Sequence, residues 1–306
     1  MNLKKYFIVY SSLLLAMVCW SMTFIWYKQA YPHLTPLTLV TLRLSIASVL
    51  LLIVSLAFGK LKRIRRKDIP GFVILALFEP FIYFLGESYG MKYLSPTLAS
   101  LIISTMPLFT PFFAFYLLKE RLKPGNYFGI IISIAGVFLL IQNDRFYYES
   151  LSLGVVLMMV AVFAAIGFTI YAKKLSDKYN SYTIVVYQNI LGFVFFLPVF
   201  LISRNYNNLV HHFSISLLMP VVKLAVFGSL LAFILFINTI RVIGISRANV
   251  FTNLIPVLTA IFSYYLLHEQ FNAQRIAGVV IVIAGLVLSQ VGTVFRLLRK
   301  NGVKAK

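Results

Sequence analysis

The chain has 306 residues, of which 60% are hydrophobic and only 12% charged. A soluble domain carries about 25% charged residues, so a water-soluble globule is excluded, and the single cysteine, Cys19, excludes a disulfide framework within one chain. The net charge of +20 would suit a nucleic-acid binder, but the Lys and Arg sit in short connections between long apolar runs, as in a membrane protein setting its orientation.

Apolar runs of about 18–25 residues read as membrane-spanning helices, and they are too long for barrel strands. Ten spans are predicted, near residues 7–27, 37–58, 70–89, 95–118, 125–141, 152–172, 181–202, 217–240, 246–267 and 274–294. The N-terminus, MNLKKYFIVYSSLLLAMVCW, imitates a signal peptide. However, Met17 and Val18 precede Cys19 where a lipoprotein signal needs small residues, and the apolar run continues to Tyr27. An uncleaved first helix is expected, with Trp20 and Thr23 as candidate chamber residues.

The second span places Arg43 about six residues, or ~9 Å, inside its outer end. A guanidinium at that depth needs a partner or must snorkel to the interface. The third span contains FEPFIYFLGES (78–88), with two of the chain's eight acidic residues. Glu79, Tyr83 and Glu87 fall at i, i+4 and i+8, one drifting helical stripe. Glu79 is expected near the midplane and Glu87 about two residues from the outer end. A carboxylate at the bilayer centre costs about 2.5–3.5 kcal/mol or more, so it faces a cavity or a partner. Pro80 should weaken the helix beside Glu79. The functional reading makes Glu79 a proton or amine site; the plainer one bonds it to Arg43 or a tyrosine, merely holding helices together. Glu87 is read either as Arg43's partner or as a solvated interfacial acid near Lys92.

Pro107 and Pro111 in the fourth span and Pro256 in the ninth are expected to break their helices, with Ser104, Thr105 and Asn253 close to the freed carbonyls. Tyr171, Gln188 and Asn189 in the sixth and seventh spans are further chamber candidates. Glu120 and Glu269 are read as capping or loop-pairing residues. Gly125, Gly129 and Ala135-Gly136 permit close helix contact, within the chain or in a homodimer. His33, His211, His212 and His268 show no metal spacing, and no cofactor is predicted.

With the N-terminus cytoplasmic, 21 basic residues fall on inner connections and ends and five on outer loops. This asymmetry places both termini inside. Sliding the chain against itself by 149 residues aligns 93–142 with 242–291 without a gap, with 14 of 50 positions identical. MPLFTPFFAFYLLKERL (106–122) matches IPVLTAIFSYYLLHEQF (255–271), and GIIISIAGVFL (129–139) matches GVVIVIAGLVL (278–288). The offset spans five helices, an odd number, so the second copy crosses the membrane in the opposite sense. The fold expected is an all-α membrane protein of ten helices in two inverted repeats, 1–142 and 150–294, followed by a cytoplasmic basic tail, 295–306. Inverted repeats are the architecture of alternating access around a midplane site. Glu79 and Glu87 align with Gly228 and Phe236, so the acids are not part of the repeated scaffold.

This arrangement resembles the EamA-type transporters of the drug/metabolite transporter superfamily. The resemblance rests on CWSMTF (19–24), on Pro36 followed by Arg43, on the fourth-span proline before FYLLKERL, on the closing IAG of the fifth span, and on VYQNILGF (186–193) and YYLLHEQF. It implies secondary transport of small metabolites or drugs. The reading that gathers these features is a proton-coupled exporter of amino-acid-like, aromatic or amine compounds in a bacterial inner membrane, not an enzyme and without a nucleic-acid partner. One rival is a non-transporting receptor, scaffold or lipid-handling protein. A remoter rival is an intramembrane serine hydrolase, suggested by Gly86-Glu87-Ser88-Tyr89-Gly90, which fits G-x-S-x-G; that motif needs a strand-turn-helix and an activating His.

Overall fold

In lipid the backbone must satisfy its own polar groups, so long apolar runs close into helices and the sequence chiefly decides where each one stops. The computed structural model describes residues 3–106, 108–109, 131–132, 135–136, 148–203, 215–244, 248, 251–274, 276–285 and 288. Pro107, Pro111, Glu120, Gly125, Gly129, His211 and His212 lie outside the described residues, as do residues 110–118 of the fourth predicted span and most of the fifth.

Helix α1 is Leu3–Ala30 and α2 is Pro36–Ala57. Thr35 caps α2 by accepting the Thr38 N–H at 3.3 Å, and Pro36 occupies the first turn, where its missing donor costs nothing. Gly59 ends α2 with φ +60°, and the Lys60 and Leu61 N–H groups turn back onto the Ser55 carbonyl at 2.9 and 3.2 Å. The third rod is α3, Ile69–Ala76, a π-helical turn, Leu77–Ile82, and α4, Tyr83–Tyr93. Within that turn Glu79 is extended (φ −147°, ψ 117°) and the Glu79–Pro80 peptide is cis. Helix α5, Pro96–Ile103, starts on a Ser95 cap.

Helices α6, Tyr148–Ser176, and α7, Ser181–Ile202, follow, with Asn180 capping α7 through the Thr183 N–H at 2.8 Å. Helix α8, Ile215–Lys223, runs through a second π-helical segment, Leu224–Leu231, into α9, Ala232–Ile243. Helix α10, Leu254–Leu267, closes on His268 in the left-handed region (φ 54°). Among the described residues six helices are long and apolar enough to cross a membrane, and Leu254–Leu267 and Ile276–Gly285 are shorter apolar helices. Every regular element among the described residues is helical, and the chain is a multi-pass membrane protein.

Packing exchanges elements between the two halves. Helix α1 packs on α9 and α10 of the second half, whereas α6 packs on α4 and α5 of the first. Helices α2 and α7 pack on each other, α2 against Leu224–Leu231 and α7 against Leu77–Ile82. Glycines permit these approaches. A Cβ on Gly86 would lie 2.5 Å from the Leu157 carbonyl, and one on Gly90 would lie 2.8 Å from Met158 Cγ. The G-x-S-x-G glycines therefore serve α4–α6 contact on a continuous helix, the wrong local geometry for a nucleophile elbow. Gly136 lies against Val282 within the same chain, at 2.8 Å from where its Cβ would be.

Candidate functional site

A cavity with about 660 Å³ of empty volume, counting the open space at its mouth, lies where these exchanged elements meet. Six of the residues singled out from sequence share its wall: Trp20 and Thr23 from α1, Arg43 from α2, and Glu79, Tyr83 and Glu87 from the broken third rod. Phe24, Phe84, Phe168, Phe233 and Phe236 complete an aromatic lining.

Arg43 is 2% exposed and almost fully engaged. Its Nε donates to Ser229 Oγ at 2.7 Å and its Nη1 to Tyr27 Oη at 2.9 Å. Its guanidinium carbon sits 4.1 Å from the Phe84 ring centre. Glu87 Oε2 is 3.8 Å from Arg43 Nη1, and Glu87 Oε1 accepts the Tyr83 hydroxyl at 3.0 Å. The expected pairing of Arg43 with one of the two acids is thus present, with Glu87. The solvated, interfacial reading of Glu87 is corrected: the residue is 3% exposed. The reason is helix length, since α4 continues to Tyr93, six residues past Glu87. Snorkelling of Arg43 is excluded by the same burial.

Glu79 is 6% exposed. Among the described residues it has no hydrogen-bond or ion-pair partner, so neither Arg43 nor a tyrosine holds it. Its position is set by neighbouring packing: a Cβ on Gly192 of α7 would fall 2.0 Å from Pro80 Cγ, and one on Gly167 of α6 would fall 2.7 Å from Phe78 Cδ1. The broken turn is therefore seated on two glycines that flank Glu79's neighbours.

The remaining predicted residues lie off the cavity wall. Ser104 donates to the Leu101 carbonyl at 2.7 Å and Thr105 to that of Ile102 at 2.6 Å. Asn189 Nδ2 donates to the Val185 carbonyl at 2.9 Å, and the Tyr171 ring lies tilted beside Phe78, 6.1 Å between centres. Gln188 Oε1 and Asn253 Oδ1 are buried, with no hydrogen-bond partner among the described residues. Turns interrupt the described parts of the fourth and ninth predicted spans. The chain turns at Ser104–Thr105 and again at Thr252–Asn253, so Pro256 sits in the first turn of α10 rather than at the break itself. The Ile255 N–H takes the Thr252 carbonyl at 3.0 Å, the acceptor that Pro256 cannot serve. Glu269 pairs as expected, accepting from Thr97 Oγ1 at 2.9 Å and from Ser263 Oγ.

The lining follows the 149-residue offset. Trp20 and Thr169, Phe84 and Phe233, Glu87 and Phe236, Ile103 and Thr252, and Met106 and Ile255 are equivalent positions, and all ten face the cavity. The reciprocal contacts match as well. Arg43 lies over Gly228–Ser229, with 3.0 Å from its Nη2 to where a Gly228 Cβ would be, while Gly192, its equivalent, lies under Pro80, the equivalent of Ser229. Among the described residues the three charged ones in the lining come from the first half.

The EamA-like transporter family matches this chain twice, over residues 7–142 and 152–290. An uncharacterized transporter of Archaeoglobus fulgidus is 28% identical over 275 residues, covering 90% of this chain and 95% of its own length. The uncharacterized transporters YcxC and YetK of Bacillus subtilis are 26% and 27% identical, over 93% and 80% of this chain and 93% and 75% of their own. A crystallised protein superposes with a TM-score of 0.65 at 15% identity, over 92% of this chain and 98% of its own, a likeness of fold alone.

Proposed function

The chain belongs to the EamA-like transporter family, and from that premise we propose a proton-coupled exporter of small aromatic or aliphatic amines that works by alternating access. It is a membrane transporter; coupling, cargo and direction are the proposal. The observation that carries it is Glu79, a buried carboxylate without a partner among the described residues, on the wall of a cavity between two exchanged halves. A buried carboxylate in a membrane is costly unless something binds it. A proton or a substrate ammonium would, and the two would compete for it.

The charges of the cavity indicate the cargo. Among the described residues the cavity has one cation, Arg43, already committed to Ser229, Tyr27, Glu87 and the face of Phe84. The open charged group is Glu79, so the site is suited to a cationic nitrogen, with the aromatic lining taking an apolar body. The exchanged packing, the repeated turns at Ser104–Thr105 and Thr252–Asn253, and the paired lining positions support two inverted repeats that interchange conformations. With both termini cytoplasmic in an inner membrane, one proton moving down 100 mV supplies about 2.3 kcal/mol.

In vesicles containing the purified protein, Glu79→Gln should abolish amine flux driven by a pH gradient while the protein elutes as the native species. Undiminished proton-dependent flux in that variant sinks the assignment.

A further inference from the structure

The connection between α2 and α3 reads LKRIRRK from Leu61, and with Lys60 it holds six basic residues in eight. An orientation signal needs only that charge; it does not need a defined shape. Yet the segment has one. Leu61 and Ile64 pack against the main core, and all six of Lys60, Lys62, Arg63, Arg65, Arg66 and Lys67 are exposed. The backbone is pinned along its length. The Lys60 N–H bonds Ser55, the Lys62 N–H bonds Thr183 Oγ1 at 3.0 Å and the Arg65 N–H bonds Tyr179 Oη at 3.0 Å. Asn180 Nδ2 holds the Lys60 carbonyl at 2.7 Å.

The charge is also left uncompensated. Asp68 is buried and taken by Lys178 at 2.6 Å and Tyr179 at 2.8 Å, and Asp177 is taken by Lys173 at 2.6 Å. Among the described residues none of the six cations is in an ion pair. The flanks bear on the depth. Phe58 is 67% exposed and Ile69 is 42% exposed, so apolar side chains left uncovered by the protein bracket the segment. Cations between such residues, at the ends of two membrane-length helices, suit the level of the lipid headgroups.

We propose that the Lys60–Lys67 segment is a preformed binding site for the phosphate headgroups of anionic phospholipids in the cytoplasmic leaflet. Clusters of four to eight basic residues next to a membrane helix attract such lipids, and a pinned backbone removes the ordering cost that a loose loop would meet. Because the same backbone is tied to Tyr179, Asn180 and Thr183 around the start of α7, a bound lipid also braces the inner ends of α2, α3 and α7 together.

The test uses purified full-length protein in detergent, titrated with phosphatidylglycerol or phosphatidylcholine and read by native mass spectrometry. Wild type should prefer phosphatidylglycerol by at least about tenfold. The triple variant R63Q/R65Q/R66Q should lose that preference, and K173Q/K174Q, which removes inner charge elsewhere, should keep it. Raising salt to about 0.5 M should collapse the wild-type preference with no substitution at all. The proposal is overturned if the triple variant keeps the preference, if both variants lose it equally, or if millimolar inorganic phosphate displaces the lipid from wild type.

Discussion

The Arg43–Glu87 pair offers the sharpest test of how the site is built. Both side chains are nearly inaccessible, 2% and 4% exposed, and their nearest charged atoms are 3.8 Å apart. That distance is beyond a hydrogen bond, so the link is mainly Coulombic. At an effective dielectric of about 20, two unit charges so spaced attract by roughly 4 kcal/mol. Removing one partner leaves the other buried and uncompensated, which costs about 3–5 kcal/mol. Removing both, as Arg43→Gln with Glu87→Gln, discards the attraction and also the burden of two buried charges. The double variant should therefore be less damaged than the two singles summed, with a coupling of about 2–4 kcal/mol. The assay is reversible unfolding in mixed micelles, titrated with denaturing detergent and followed by tryptophan fluorescence. Additivity within about 0.5 kcal/mol would refute the pairing and return Arg43 to Ser229 and Tyr27 alone.

Two further substitutions test the packing. Gly192→Ala puts a methyl 2.0 Å from Pro80 Cγ, a closed ring with no flexible end, and should cost about 1–3 kcal/mol in the same titration. Gly71→Ala meets only Leu175 Cδ2 at 3.6 Å and should stay within about 0.5 kcal/mol; equal effects would show that Pro80 is not seated as described. Tyr179→Phe removes the acceptor of the Arg65 N–H and a donor to Asp68. Trypsin should then cut within 60–67 about three- to tenfold faster, and an unchanged rate would mean the segment is held by other contacts.

Much of the site could be read before its geometry was known, and the reason is physical. Lipid makes charge expensive, so Arg43, Glu79 and Glu87 stand out in apolar helices. Comparing their heights at 1.5 Å per residue made the two acids the candidate partners of Arg43, with snorkelling the alternative. The partners that complete the site carry no such mark. Tyr27 and Ser229 are neutral, and Ser229 lies 186 residues from Arg43. The phenylalanines of the wall look like any lipid-facing residue in composition. A usable signal did exist: Phe233 and Phe236 sit at the repeat offset from Phe84 and Glu87, and Ser229 at the offset from Pro80. Asn189 and Ser104 lie off the cavity wall for a complementary reason. A polar group in a membrane helix can serve a ligand or its own backbone, and Asn189 and Ser104 bond carbonyls of their own helices.

The paired lining positions also explain why the charges are unpaired across the repeat. If the halves exchange conformations, equivalent positions take turns in each other's surroundings. An acid at Gly228 would add a third carboxylate to a cavity that already holds Glu79 and Glu87 with one guanidinium, and like charges in a low-dielectric site oppose each other's ionisation. A side chain at Gly228 would also strike Thr23 and Arg43, at 2.7 and 3.0 Å from its Cβ. The scaffold can therefore be nearly symmetric while the chemistry is not. The first half brings Arg43, Glu79 and Glu87, and the second supplies Gly192, Gly228 and Ser229, the small residues on which that chemistry is seated.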